Sequence, residues 1–317
     1  MADHLLESLS LYGLRGGKAT LLRHNENRTY RIDCDGQAYC LRLKDPVSGF
    51  DLSVFGGDPE SLLRGELALL NALGEGADIP VQAPVPTLTG DPVARLSDGT
   101  LASLLSWMDG TPLNAGACTQ PMLLSAGQTL ARLRSAAETD PALRSHCRLS
   151  YDQALTRRLA QRAEQGAGTL PAQAIRSILD ALQAISRVMD DLDGSEEALI
   201  AHADPGFGNL IWTNGGVGLI DWSLSGYAHS YTDLGGLMGA TGDREAQRLI
   251  LQGWESVRGK ADRRCVDACF ALNVLLFVCC QYTRAGEWAD WFPAALGRWQ
   301  ETVFDPLSSG RAIPCIL

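Results

Sequence analysis

The sequence has no run of lysines and arginines: 27 Lys and Arg stand against 37 Asp and Glu, for a formal net charge of -10. A chain of that sign is a poor match for a phosphate backbone, so no nucleic-acid partner is expected. A glycine-rich GxGxxG loop is also missing, so nucleotide phosphates would have to be held by other backbone N–H groups and short polar side chains. The start, Met1-Ala2-Asp3-His4, lacks the basic-then-apolar order of a secretory signal. No long apolar run is free of polar residues. The most apolar stretch, Cys265 to Cys280, contains Asp267 and Asn273 and reads as a buried core helix, so no membrane partner is expected. The nine cysteines lack metal-like spacing. Cys265 and Cys269 share a helix face without a histidine near them, which favours buried thiols in a reducing, cytoplasmic compartment. Internal repeats and long low-complexity segments are absent as well.

What is present suits a globular chain. Hydrophobic residues make up 45% and charged residues 20%, enough for a real core, and 317 residues leave room for two lobes. The first hundred residues mix strand and helix. Leu21–Asp33 and Gln37–Leu43 read as two strands joined through Asp35-Gly36, a hairpin signal. Residues 45–57 read as a loop. A helix is expected over Pro59–Leu73, with Asp58 as its cap, Pro59 in its first turn and Gly74 past its end. Gly76–Pro92 is loop-like, and a strand follows over Leu101–Met108. Asp109-Gly110-Thr111-Pro112 then breaks the chain. The expected division is therefore residues 1–106 and 107–317. The second part is mainly helical, over Pro121–Ala137, Tyr151–Gln165, Ala172–Leu192, Glu245–Arg258 and Arg264–Arg284.

Between these helices lies a segment of different character. It reads His202-Ala203-Asp204-Pro205-Gly206-Phe207-Gly208-Asn209, then two apolar runs flanking Asn214-Gly215-Gly216, and ends Ile220-Asp221-Trp222. Folded symmetrically about Gly215, this hairpin sets Thr213 against Val217, Ile211 against Leu219 and Asn209 against Asp221. An amide oxygen and a carboxylate then meet at its open end, with Asp204 beside them. Such a group suits magnesium, which takes few protein oxygens and completes its shell with substrate phosphates. A further carboxylate can orient a hydroxyl and accept its proton. These are the parts that phosphoryl transfer requires.

The segment resembles the catalytic core of the aminoglycoside phosphotransferase and choline kinase superfamily, distant relatives of protein kinases, with some likeness to homoserine-kinase-type members. That resemblance implies an α+β, protein-kinase-like bilobal fold, with a small antiparallel-sheet lobe and a larger helical one. It implies ATP with Mg2+, and transfer to a hydroxyl of a small molecule. Asp204 resembles the catalytic aspartate and His202 the histidine supporting its loop. Asn209 and Asp221 resemble the metal ligands. Gly226-Tyr227 and Asp233-Leu234-Gly235 resemble further family segments in which the aspartate is structural. In the first part, Arg42 within Tyr39-Cys40-Leu41-Arg42-Leu43 resembles the phosphate-contacting cation. Glu66 sits inside the stripe of Leu62, Leu63, Leu69, Leu70 and Leu73, and a carboxylate there needs a partner; Arg42 is the natural one. Asn27, within Asn25–Arg31, resembles part of the nucleotide-covering loop, and Trp107 with Met108 the adenine-contacting hinge. The departures are Ala203 where glycine is usual, Pro205-Gly206-Phe207-Gly208 inside the loop, and Arg134 where many members carry histidine.

Two other readings stay open: a nucleotide-binding pseudokinase without transfer activity, and a protein kinase. The acceptor is expected to be an amino-bearing metabolite or an aminoglycoside-like compound, with homoserine, choline-like amino alcohols, sugars and aminoglycosides all open. Trp254, Trp288, Trp291 and Trp299 lie late in the chain with Glu287 and Asp290, the residue types of an ammonium cage. His229 reads as a surface-loop histidine.

Overall fold

The computed structural model describes residues 2–24, 27–44, 51–192, 198–281 and 291–317. Helix α1 (Ala2–Leu11) precedes three strands, β1 (Lys18–His24), β2 (Arg28–Cys34) and β3 (Gln37–Leu43). Helix α2 (Pro59–Gly76) follows, then β4 (Pro84–Val85), β5 (Val93–Arg95) and β6 (Leu101–Ser106). These six strands form one antiparallel sheet in the order β1-β2-β3-β6-β4, with β5 pairing β6. The run Leu21–Asp33, read from sequence as one strand, is two: β1 and β2 pair antiparallel, with His24 opposite Arg28. Asn25 and Glu26 lie outside the described residues, and Arg28–Arg31 belong to β2 rather than to a covering loop. The next reversal is a two-residue turn through Asp35 and Gly36, both at positive φ, which closes Cys34 against Gln37.

Alternation along β3 sorts its side chains. Leu41 and Leu43 pack with Leu9 and Tyr12 in a small core under α1, while Cys40 belongs to the larger core on the other side. Arg42 therefore shares the face of Cys40, toward α2. That helix starts where Asp58 accepts a hydrogen bond from the Ser61 N–H, 2.8 Å, and Pro59 opens the first turn. It runs through Gly74 to Gly76, past the end expected from the sequence, because its carbonyl pattern closes only when the Ala77 N–H reaches Leu73 O, 3.0 Å. Leu63, Leu67, Leu70 and Leu73 form its buried stripe, and Glu66 is buried among them.

The rest is mainly helical, with short strands. Strand β7 (Thr111–Pro112) leads to α3 (Gln120–Thr139), β8 (Leu149–Ser150), α4 (Gln153–Gln165) and α5 (Ala172–Leu192). Then come β9 (Leu199–Ala201), β10 (Leu210–Thr213), β11 (Gly216–Leu219) and β12 (Gly226–Ala228). Five helices close the chain: α6 (Thr232–Gly239), α7 (Arg244–Arg258), α8 (Arg263–Gln281), α9 (Phe292–Trp299) and α10 (Asp305–Ser308). The short strands make two three-stranded sheets, β11-β10-β7 and β8-β12-β9. Helix α8 is long and apolar enough to cross a membrane, but between Cys265 and Cys280 every residue except Asn273 and Phe277 is buried in the fold. It is the core helix that its composition suggested. The whole is the α+β, protein-kinase-like architecture, with an antiparallel sheet first and a helical part after it.

Candidate active site

The hairpin of β10 and β11 departs from the expected register by one place. Its turn is two residues, Asn214-Gly215, so Thr213 pairs with Gly216, Ile211 with Gly218 and Leu210 with Leu219. Asn-Gly is the favoured two-residue hairpin loop, and it wins over a three-residue turn. Asn209 then stands opposite Ile220, whose N–H donates to Asn209 O at 3.0 Å, and not opposite Asp221. Asp221 follows at φ 62°, ψ 70°, a left-handed conformation. That turn breaks the strand alternation and re-aims the carboxylate into the cleft, where it lines a cavity of about 300 Å3 together with Arg42, Trp107, Met108 and Gly208.

Burial raises the proton affinity of both aspartates, and their neighbours then separate them. For Asp204, burial pushes the carboxyl up to about 6; the nearby charge of Asp221 adds to the rise, while His202 and a hydrogen bond from Asn209 pull the other way. Asn209 Nδ2 donates both to Asp204 Oδ2, 2.9 Å, and to its backbone carbonyl, 3.0 Å. Its amide oxygen accepts no hydrogen bond among the described residues. For Asp221, burial also works upward, but Arg23 and Arg42 overcome it and hold the carboxyl below the usual range. Arg23 forms an ion pair with Oδ2, Ser223 Oγ donates to Oδ1 at 2.9 Å, and Arg42 Nη1 stands 3.8 Å from Oδ1.

Arg42 and Glu66 are 2.7 Å apart and both buried, so Glu66 is not at an exposed edge of its helix. Their N–H and oxygen vectors are not aligned as a hydrogen bond, so charge holds the pair. Burial alone would lower the proton affinity of Arg42; Glu66 first and Asp221 second reverse the sign. Asn27 lies with Lys44 and Ser103 around a crevice beside this pair. On a wall of the cleft, Trp107 carries the Arg31 guanidinium over its ring at 4.6 Å, and the Trp107 backbone N–H donates to Ala38 O at 3.1 Å. Met108 lies against Gly218, where a Cβ would meet its sulfur at 2.5 Å.

The catalytic-loop candidate is fixed from behind. The His202 ring is fully buried, edge-on to Trp222, with Nε2 2.9 Å from Ile220 O and Nδ1 accepting from the Asp204 N–H at 3.3 Å. Those partners assign the proton to Nε2. A ring with both nitrogens turned to backbone cannot touch a substrate, so His202 is a positioning residue. Asp233 accepts from the N–H groups of His202, 3.0 Å, and Ala203, 2.7 Å. Ala203 sits at φ 63°, which explains why glycine is the usual residue: a Cβ is strained there.

Two residues escaped the sequence reading. Arg23 carries no motif and lies inside a strand pattern. Arg148 lies in an irregular stretch, yet its buried guanidinium donates to Leu62 O (2.7 Å), Trp222 O (2.9 Å), Ser223 O (2.8 Å), and Ser225 O and Oγ (3.1 and 2.9 Å). It ties α2 to the segment after Asp221. Gly65 permits that approach, since a Cβ there would run into the Cys147 carbonyl oxygen. Arg134, by contrast, pairs with Glu138 at 3.2 Å. The late tryptophans divide. Trp254 is core, buried beside Tyr231, and so leaves the expected cage. Trp291 and Trp299 flank Phe277 at 6.4 and 5.8 Å, while Glu287, Trp288 and Asp290 lie outside the described residues. His229 is half-buried against Tyr231 and Cys269, not on a surface loop.

Among curated protein sequences no significant match is found. Solved structures match over almost the whole chain. A microcompartment-associated aminopropanol kinase is 20% identical with a TM-score of 0.72, covering 97% of this chain and 100% of its own. The amicoumacin kinase hAmiN, in complex with AMP-PNP, Ca2+ and Ami, is 16% identical with a TM-score of 0.72, covering 100% and 95%. A thermostable mutant of an aminoglycoside phosphotransferase, in ternary complex with ADP and hygromycin B, is 14% identical with a TM-score of 0.63, covering 96% and 98%. At such identities the likeness is one of fold. The sequence profile of the phosphotransferase enzyme family, however, matches residues 18–269, which include the sheet, the cleft and the loop from His202 to Asp221. The chain belongs to that family.

Proposed function

We propose that this phosphotransferase moves the γ-phosphate of ATP to a hydroxyl of a small, amino-bearing molecule, with Mg2+ as the metal. The observation that carries this reading is a linked set of side chains: Asp221 and Arg42 line the cleft, Glu66 pairs with Arg42, and Asp204, hydrogen-bonded to Asn209, feels the charge of Asp221. The free amide oxygen of Asn209 and the ionised Asp221 carboxylate fit a hard cation that keeps part of its shell for phosphates. When bound, magnesium supplies charge neutralisation on the transferred group. The chain's own residues do the rest. Arg42, oriented by Glu66, holds phosphate oxygens. Trp107 and Met108 border the base, and the division between residues 1–106 and 107–317 falls beside them as a hinge. Asp204 accepts a hydrogen bond from the acceptor hydroxyl and takes its proton late in transfer, since the transition state is loose.

The amino group on the acceptor is supported by the acidic balance of the chain and by Phe277, Trp291 and Trp299, which suit a cation. Relatives in fold include an aminopropanol kinase, an acceptor of this class. The test is ADP release in a coupled assay across amino alcohols, aminoglycosides, sugars and a generic protein substrate. Turnover restricted to amino-bearing alcohols supports the reading. A neutral sugar as best acceptor removes the amino requirement, phosphorylated protein favours a protein kinase, and nucleotide binding with no acceptor at all favours a pseudokinase.

A further inference from the structure

A second cavity, of about 300 Å3, opens between α5, the start of α8 and the segment after α10, and shares no lining residue with the cleft. Four arginines line it, Arg187, Arg263, Arg264 and Arg311, against one acid, Asp267. That concentration is opposite in sign to a chain of net charge -10. The pocket is built rather than incidental. Arg263 Nε donates to Asp267 Oδ1 at 2.7 Å, and its Nη2 donates to Ile313 O and Ile316 O, both at 2.8 Å. Asp267 Oδ2 accepts the Ile313 N–H at 3.0 Å. This half-buried network ties Ile313 and Ile316 to α8 and consumes the one acid in the wall among the described residues. The side chains of Arg187 and Arg311, contributed by two separate elements, have no hydrogen-bond or ion-pair partner among the described residues. Ala184, Val188 and Leu307 supply an apolar floor.

We propose that this cavity is a binding site for a phosphomonoester. Guanidinium groups gathered around one cavity repel each other until an anion joins them. A phosphate dianion offers three oxygens and two charges, enough to meet the forks of Arg187 and Arg311 together, whereas a carboxylate offers two oxygens and one charge. The apolar floor takes the organic group of the ester. This inference stands apart from the assignment of the cleft.

Calorimetry on the full chain, free of metal and nucleotide, tests it with phenyl phosphate as probe and with inorganic phosphate and benzoate as comparisons. Phenyl phosphate is expected to bind more tightly than either. The double variant Arg187→Gln/Arg311→Gln alters two exposed side chains, so the fold is retained, as circular dichroism checks. It is expected to weaken phenyl phosphate by about tenfold or more. AMP-PNP with Mg2+ is expected to leave that affinity unchanged, since it occupies the cleft. Unchanged affinity in the double variant, displacement of the probe by AMP-PNP, or no binding by the wild type up to about 10 mM overturns the site. Equal binding of inorganic phosphate overturns the ester assignment, and equal binding of benzoate overturns the phosphate assignment.

Discussion

The loop bearing Asp204 and the strand end bearing Asp221 are near enough for the charge of Asp221 to act on Asp204, yet burial has opposite outcomes in the two places. Desolvation works upward on both carboxyls. On the Asp204 side, the fixing groups are Asn209, His202 and Asp233, which offer hydrogen bonds and little net positive charge, and the carboxyl rises to about 6. On the Asp221 side, the sheet sends in Arg23 and Arg42, and the carboxyl stays ionised. Two aspartates thus receive opposite proton affinities from their surroundings, which suits the proposed division into a proton acceptor and a metal ligand.

The largest expected effect separates those roles. Asp204→Asn keeps shape and removes the proton acceptor; transfer should fall by about two to four orders of magnitude while calorimetric ATP affinity stays near wild type. Asp221→Ala should lose both transfer and Mg2+-dependent ATP binding. Near-full transfer by Asp204→Asn would show that the comparison has its members reversed. Next in size is Arg148→Met, which removes the donor to the carbonyls of Ser223 and Ser225, while Trp222 O keeps the Ser225 N–H and Leu62 O stays within its helix. Each buried group left unpaired costs about 1–3 kcal/mol, so chemical denaturation should show a loss of at least about 2 kcal/mol. A loss under about 0.5 kcal/mol would mean that water replaces the guanidinium without penalty.

The pH profile sharpens the contrast. Asp204 acts only when ionised, so kcat/KM for the acceptor should fall as pH drops through about 6, the value burial gives it, or somewhat lower once cations enter the cleft. An acid limb that survives in residual Asp204→Asn activity would assign it to another group. Arg23→Gln should raise the Asp221 pKa, because Arg23 is the leading cause of its depression. Carboxyl carbon NMR titration reads this directly, and no change would move the credit to Arg42. The smallest effect belongs to Ala203→Gly, which relieves a left-handed Cβ and should stabilise the chain by about 1 kcal/mol.

Much of this site was legible because its chemistry rides on local patterns. The resemblance of the strand Tyr39–Leu43 to a family segment singled out Arg42, helical spacing placed Glu66 in a buried stripe, and the short segment from His202 to Asp221 carries its own spacing. The hairpin register was not read to one residue, since Asn214-Gly215-Gly216 allows both a two- and a three-residue turn, and the Asn-Gly preference wins, in a register that also pairs β10 with β7. The left-handed turn at Asp221 then restores what the shift would have lost. Arg23 and Arg148 were invisible for a different reason. Their partners lie 198 and 74–86 residues away, and no periodicity encodes a contact of that span.

That span bears on how the chain reaches its native state. Arg148 bonds Leu62 on one side, 86 residues earlier, and Trp222 to Ser225 on the other, 74 to 77 residues later. Loop-closure entropy for both segments must be met before either bond forms. The guanidinium is therefore satisfied only when sheet, helix and catalytic hairpin have already docked. On a ribosome, Arg148 emerges well before Trp222 does, and a chain halted between them exposes a cation with nothing to receive it. The residue acts as a checkpoint on assembly order: it resists burial in any collapsed state that lacks the Asp221 segment, because an unpartnered guanidinium is costly to take out of water.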